Sequence, residues 1–142
     1  MKKWFGTITA AAAALGAIGA VQAADYRWLS GWDDNYPAVP YIVTPFVKAV
    51  EAASKGSIKI QRNGPETVPA FEQLQPVASG AFHFLFTHGA YHFGTTPILA
   101  AFEGVGGDMK SRRASGVIEW IDKYYQKLGV KFALEVHPTE IA

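Results

Sequence analysis

Apolar residues in the middle of the chain recur first at a strand period, then at a helix period, then at a strand period again. Ile58 and Ile60 alternate with polar neighbours, and the run from Phe82 to Phe86 alternates in the same way. A period of two is typical of a half-buried strand. Between these runs, residues 69–79 space their apolar side chains as a short helix packed on a sheet would. A strand, a helix and a strand in this order normally connect parallel strands.

The pattern continues on both sides of this unit. Residues 25–31 predict an earlier strand, and Thr44 predicts the N-cap of a helix, although a start near Pro40 is also compatible with the sequence. Thr96 and Pro97 predict a short helix that runs to residue 102.

The last part of the chain predicts a long helix and a fourth strand. Ser111 is the expected N-cap of the helix, and Gly129 is expected to end it. The fourth strand would carry the alternating apolar residues Val130, Phe132, Leu134 and Val136. Together the elements predict an α/β fold with a mostly parallel sheet.

The first residues form a segment with a different character. Two lysines precede an apolar run from Trp4 to Ala20, and Val21 and Ala23 place small residues at positions −3 and −1 of a cleavage site. The run is short for a membrane helix, and no charged stop follows it. We therefore predict that residues 1–23 are a secretory signal peptide.

Composition narrows the classes of function. The chain has 142 residues, of which 49% are hydrophobic and 18% are charged, as in an ordinary globular domain. Without Lys2 and Lys3 the formal charge falls from +1 to −1, which does not suit a nucleic-acid partner. The absence of Cys excludes a disulfide framework, so an exported domain would depend on its hydrophobic core. These features fit the periplasm.

Several short motifs occur in an order that resembles one protein family. Ser54-Lys55-Gly56 ends a predicted helix, a strand follows, Asn63-Gly64 forms a turn, and Val77-Ala78-Ser79-Gly80-Ala81 ends the next helix. This order resembles the solute-binding subunits of TRAP transporters, the tripartite ATP-independent periplasmic transporters. The similarity extends over essentially the whole of residues 24–142.

The resemblance implies one lobe of a periplasmic-binding-protein-like clamshell. Residues 24–142 would hold the N-terminal lobe and the first crossing strand, and we expect the chain to be truncated because its sheet ends on a new strand. The implied function is capture of a small organic acid, commonly a carboxylate, for TRAP-type membrane permease subunits. No cofactor and no catalytic activity are implied.

The polar turns that follow the strands are the expected site. Ligands of open parallel sheets bind outside the carboxyl ends of the strands. Helices that begin near Thr44, Pro69 and Thr96 would also direct backbone N–H groups at this edge and favour an anion.

The side chains of these turns suit an organic acid. The guanidinium of Arg62 suits a carboxylate, and aromatic side chains can form the walls of a pocket. The predicted ligand-binding residues are Trp32, Asn35, Arg62, Glu66, Thr87, His88 and Tyr91.

Three histidines allow an alternative function. His83, His88 and His92 are closely spaced, which is compatible with a periplasmic metal-dependent hydrolase. On a strand followed by a turn these side chains are not expected to converge, and no Cys is available as a further ligand. We therefore predict no metal site and treat the hydrolase as the alternative.

Overall fold

A computed structural model describes residues 24–102 and 104–133. The predicted signal peptide lies outside the described residues, as do Leu134 and Val136 of the predicted fourth strand. The signal peptide therefore stays a prediction.

Three parallel strands form the sheet at the centre of the structure. They are β1 (Ala24–Ser30), β2 (Ile58–Asn63) and β3 (Phe84–Phe86), in the spatial order β2-β1-β3. Trp28 of β1 lies opposite Arg62 of β2 and opposite Phe84 of β3. The predicted parallel arrangement is confirmed, and β1 lies between the two strands of the central unit.

Helices and turns connect and cover these strands. The described helices are α1 (Thr44–Ala53), α2 (Leu74–Ala78), α3 (Pro97–Phe102), α4 (Met109–Ala114) and α5 (Val117–Gln126). A π-helical turn (Val39–Val43) precedes α1, and 3-10 turns occur at Ala70–Glu72 and Gly89–His92.

Apolar side chains pack on both faces of the sheet. One cluster joins the strands to the π-helical turn and α1, and its buried members are Trp28, Val39, Val43, Val47 and Ile60. The other joins α2, α3 and α5, and its buried members are Leu74, Phe102, Ile121 and Tyr125. Along β3, Phe84 and Phe86 contact the first cluster and Leu85 contacts the second, as the alternation of a strand requires.

The start of α1 corrects one prediction. Thr44 is not an N-cap, because the helical turn already begins at Val39, close to the alternative start at Pro40. Pro45 has no N–H to donate to the preceding turn, and the π-helical turn widens the helix just before it. The Thr44 hydroxyl instead accepts a hydrogen bond of 2.9 Å from Nη1 of Arg62.

The long helix predicted after Ser111 is divided into two. Asp108 caps α4 by accepting a bond of 2.7 Å from the backbone N–H of Ser111. Gly116 has a φ of +79°, outside the helical region, and separates α4 from α5. Gly129 also has a positive φ, so the end of the predicted helix is confirmed within a few residues.

The helix predicted over 69–79 and the start of the predicted fourth strand also differ from the structure. Residues 69–79 form a 3-10 turn and the short α2 rather than one helix, and Pro76 lies in the first turn of α2, where its missing N–H has no cost. Residues 130–133 are described and contain no strand. Within the described part of the chain, no helix is long and apolar enough to cross a membrane.

Candidate functional site

The three strands end at one edge of the sheet, which we call the carboxyl edge. Ser30 lies opposite Phe86, and Leu29 lies opposite Asn63, so the turns after all three strands start side by side. The predicted convergence of these turns is therefore confirmed.

A cavity of about 330 Å³ opens at the carboxyl edge, between the turns that follow β1 and β2. We call it the edge cavity. Its lining comes from the end of β1, the turn after it, the π-helical turn and the turn after β2: Trp28, Ser30, Trp32, Asp33, Asp34, Asn35, Val39, Val43, Arg62, Asn63, Gly64 and Glu66. Of the predicted site residues, it contains Trp32, Asn35, Arg62 and Glu66.

Local hydrogen bonds fix the turn after β1. The backbone N–H of Trp32 donates to Oγ of Ser30 at 3.1 Å, and the backbone N–H of Asn35 donates to Oδ1 of Asp33 at 2.8 Å. The second bond is an Asx turn, a common use of Asp after a strand. The turn thereby presents Asp33 and Asp34 beside the cavity.

Arg62 connects three elements. Its Nη1 and Nη2 donate to the two carboxylate oxygens of Asp34 at 3.0 and 3.1 Å, and Nη1 also donates to Thr44. The sequence did not indicate this pairing. A bidentate ion pair of this kind fixes the orientation of the guanidinium.

The turn after β2 holds Glu66 in a defined position. Its carboxylate accepts hydrogen bonds from its own backbone N–H and from the backbone N–H of Gly64, and both bonds lower the pKa of Glu66. The bond from its own N–H has the larger effect. The negative charge of Asp33 acts in the opposite direction and raises that pKa. Asp33 and Glu66 both lie among the residues that line the edge cavity.

Thr87, His88 and Tyr91 lie beside the edge cavity and are not among its lining residues. A Cβ atom at Gly31 would lie 3.3 Å from the Tyr91 ring and 3.5 Å from Oγ1 of Thr87, so this turn packs directly against the end of β1. The Tyr91 ring contacts that of Trp32, with 5.5 Å between centroids. The structure thus brings the seven predicted residues to one edge, in two adjoining groups.

The three histidines have separate environments. Nδ1 of His83 accepts from the backbone N–H of Arg27, and Nδ1 of His88 accepts from that of Ala90. Buried His92 is bonded to Oγ1 of Thr87 at 2.9 Å. Within residues 24–102 and 104–133, no group of three His, Asp or Glu side chains is placed to hold a metal ion. The convergence that the hydrolase alternative needs is not found there.

Trp28 was missed as a candidate for the site. The sequence predicted it as one apolar residue of the first strand, and it is 8% exposed in the core. It also lines the edge cavity, and within the described residues its Nε1 is buried without a hydrogen-bond partner. Its position opposite Arg62 is the signal that could have identified it, but register is not readable from one strand alone.

The edge cavity has mixed apolar and polar walls and lies at the carboxyl edge of a parallel sheet. α/β proteins hold small molecules in cavities of this kind. No family model matches this sequence, and a search of curated proteins found no match.

A solved structure has a similar fold. It is a TRAP transporter solute-binding protein from Bordetella bronchiseptica, which has copurified calcium and picolinate in one active site and an apo site for comparison. The two proteins share 17% sequence identity with a TM-score of 0.65. The match covers 75% of this chain and 34% of that protein, so this chain spans about a third of its length. The fold is therefore α/β, like one lobe of a periplasmic binding protein, as the sequence predicted.

Proposed function

We propose that this protein is the periplasmic solute-binding component of a TRAP-type transporter and that it captures a small organic acid. The observation that carries the proposal is the edge cavity, which lies at the carboxyl edge of a fold similar to that of a TRAP solute-binding protein. That protein holds picolinate, an aromatic carboxylate, in its active site.

The walls of the edge cavity support an acid with an apolar body. Trp32, Val39 and Val43 supply apolar surface. Arg62 donates three hydrogen bonds, two to Asp34 and one to Thr44. Because a guanidinium has five N–H groups, further N–H groups of Arg62 remain to donate to a ligand oxygen. Thr87, His88 and Tyr91 extend the same edge and would contact a longer ligand or the far end of a closed cleft.

The wider context of the proposal is export and transfer to a membrane permease. Residues 1–23 would direct the chain to the periplasm, and the carboxyl edge would form one wall of a cleft whose other wall belongs to a second lobe. The intact mass of the protein from a periplasmic extract tests the first step. Retention of Lys2 and Lys3 would contradict it.

Calorimetric titration with picolinate, benzoate and succinate tests the binding function. We expect at least one of these acids to bind, and we expect Arg62→Ala to weaken that binding about tenfold or more, because charge-assisted hydrogen bonds are lost. His88→Ala should give a smaller loss. Arg113→Ala is the matched control, since Arg113 is an exposed arginine of α4 outside the cavity. Unchanged affinity in both site variants would exclude this edge as the anion site.

A further inference from the structure

One buried side chain joins the two turns that line the edge cavity. Gln73 lies between the 3-10 turn at Ala70–Glu72 and α2, and it is completely buried. Its Nε2 donates to the backbone oxygen of Ser30 at 2.8 Å and to that of Val68 at 2.9 Å. Ser30 ends β1, and Val68 lies in the turn after β2. Both N–H groups of the amide therefore connect these two segments.

The bond to Ser30 extends this connection into the wall of the edge cavity. Oγ of Ser30 accepts from the backbone N–H of Trp32 at 3.1 Å and donates to the backbone oxygen of Trp32 at 2.6 Å. Ser30 and Trp32 both line the edge cavity. A shift of Ser30 would thus move the backbone of Trp32 as well, and one wall of the cavity with it.

The bond to Val68 attaches the turn after β2. Within that turn the backbone N–H of Thr67 donates to the oxygen of Gly64 at 3.1 Å, and the carboxylate of Glu66 accepts from the backbone N–H of Gly64. These bonds hold the turn together internally. Gln73 is the residue that fixes its far end to the end of β1.

The amide of Gln73 is placed for its donors and not for its acceptor. A carboxamide carries two N–H groups on Nε2 and accepts at Oε1, and only the NH2 end can face two carbonyl oxygens. Oε1 is buried and, in the part of the chain that the structure describes, has no hydrogen-bond partner. A buried acceptor without a donor destabilises the folded chain, so the contribution of this side chain lies in its two donated bonds.

A second link between the two turns, the Arg62–Asp34 pair, lies on the exposed side of the cavity. The side chains of Arg62 and Asp34 are 33% and 73% exposed. The proposed function gives Arg62 to the acid group of the ligand, so this link changes when a ligand binds. Gln73 is buried and is not among the lining residues, so a ligand in the cavity does not compete for its bonds.

We propose that Gln73 is a positioning residue of the edge cavity. Through the carbonyl groups of Ser30 and Val68 it holds the end of β1 and the turn after β2 in the arrangement that binds the ligand, and it does not touch the ligand itself. This inference rests on the proposed function, because it concerns how the same site binds its organic acid.

Removal of the two donors tests the inference. Gln73→Met keeps the length of the side chain and cannot donate to either carbonyl group. The ligand must then order the two turns on binding, so affinity in the folded fraction should fall about three- to tenfold. The measurement is calorimetric titration with whichever of picolinate, benzoate and succinate binds the parent protein most tightly, after the folded fraction of each variant has been determined by circular dichroism.

Two control variants separate positioning from stability. Gln75→Met is the same substitution two residues further on, at an exposed position outside the edge cavity, and should keep the parent affinity. Ile121→Ala removes fully buried apolar volume from the cluster of α2, α3 and α5 and should lower stability without a loss of affinity. A purely structural Gln73 would behave like Ile121.

Hydrogen exchange in the parent protein gives a second test, which applies even if Gln73→Met does not fold. A ligand that binds the held arrangement more tightly must favour that arrangement in return. Saturating ligand should therefore slow exchange of the Nε2 protons of Gln73 about threefold or more. The Nε2 protons of exposed Gln126, on α5, should exchange at an unchanged rate.

The outcomes distinguish this inference from the proposed function. If the parent protein binds an acid and folded Gln73→Met binds it equally well, the inference is wrong and the proposed function stands. Unchanged exchange at Gln73 on saturation also overturns the inference alone. If none of the three acids binds the parent protein, the proposed function fails, and the inference fails with it.

Discussion

At the scale of single residues, Asp34 competes with any ligand for Arg62. The two side chains form a bidentate pair, with Asp34 73% exposed and Arg62 33% exposed at the side chain. Asp34→Asn should therefore lower the free energy of unfolding by less than about 1 kcal/mol, because exposed pairs contribute little. The same variant should bind benzoate more tightly, since Arg62 is released and a negative charge is removed. Urea unfolding and calorimetric titration measure the two effects, and weaker benzoate binding would contradict this account.

His92 should make stability depend on pH. Burial lowers its pKa below the ordinary value of about 6.5. Below pH 6.5 His92 therefore binds a proton more readily in the unfolded chain than in the folded chain. The contribution of neutral His92 to the free energy of unfolding is fully present above pH 6.5 and decreases as the pH is lowered below it. His92→Gln should show a smaller loss of Tm between pH 7.5 and pH 5.5 than the parent protein shows. Equal losses in the two proteins would show that His92 is not responsible.

Residue identity allowed part of the edge cavity to be predicted. Arg62 and Glu66 were found because they follow an alternating strand, and Trp32 because it follows another. The Arg62–Asp34 pair and the partnerless N–H of Trp28 could not be found, because they depend on which strands are neighbours and in which register. That register is set by tertiary packing over separations of about 30 residues along the chain.

At the scale of elements, Gly116 distinguishes the predicted helix from the observed one. In a continuous helix, replacing an interior Gly by Ala stabilises the protein by about 1 kcal/mol. In the structure Gly116 has a φ of +79°, so Ala at this position should instead destabilise it by about 1 kcal/mol or more. Thermal unfolding of Gly116→Ala gives the sign. Gly94→Ala is the control, because a Cβ atom there meets nothing within 4 Å and its φ is not positive. Stabilisation by Gly116→Ala would support the single helix.

Element type was easier to predict than element boundaries. The strands around Trp28, Ile60 and Leu85 follow directly from alternation. The helix predicted over 69–79 and the cap predicted at Thr44 were wrong in detail. The apolar spacing and the cap residue did not indicate the 3-10 turn at Ala70–Glu72 or the π-helical turn at Val39–Val43. Short irregular turns of this kind contain too few residues to show a period.

At the scale of the whole molecule, we expect the core cluster of α2, α3 and α5 to contribute to stability and not to ligand affinity. Ile121 is fully buried in the cluster of α2, α3 and α5, on the face of the sheet away from Trp28. Ile121→Ala should lower the free energy of unfolding by about 2–5 kcal/mol. In the fraction that stays folded, ligand affinity should be unchanged. Trp120→Ala is the control on the same helix, because Trp120 is 58% exposed and should cost much less. A loss of affinity in folded Ile121→Ala would link this cluster to the site.

The central claim is that the edge cavity binds the ligand. An amide ¹H–¹⁵N NMR titration tests it most directly, because each backbone N–H reports on its own surroundings. The ligand is whichever of picolinate, benzoate and succinate binds most tightly. We predict that the largest shift changes fall in residues 31–35 and 62–66, at the two turns that line the cavity. Saturable binding with shift changes confined to other residues, such as the neighbourhood of Phe71 and Leu128, would contradict the account.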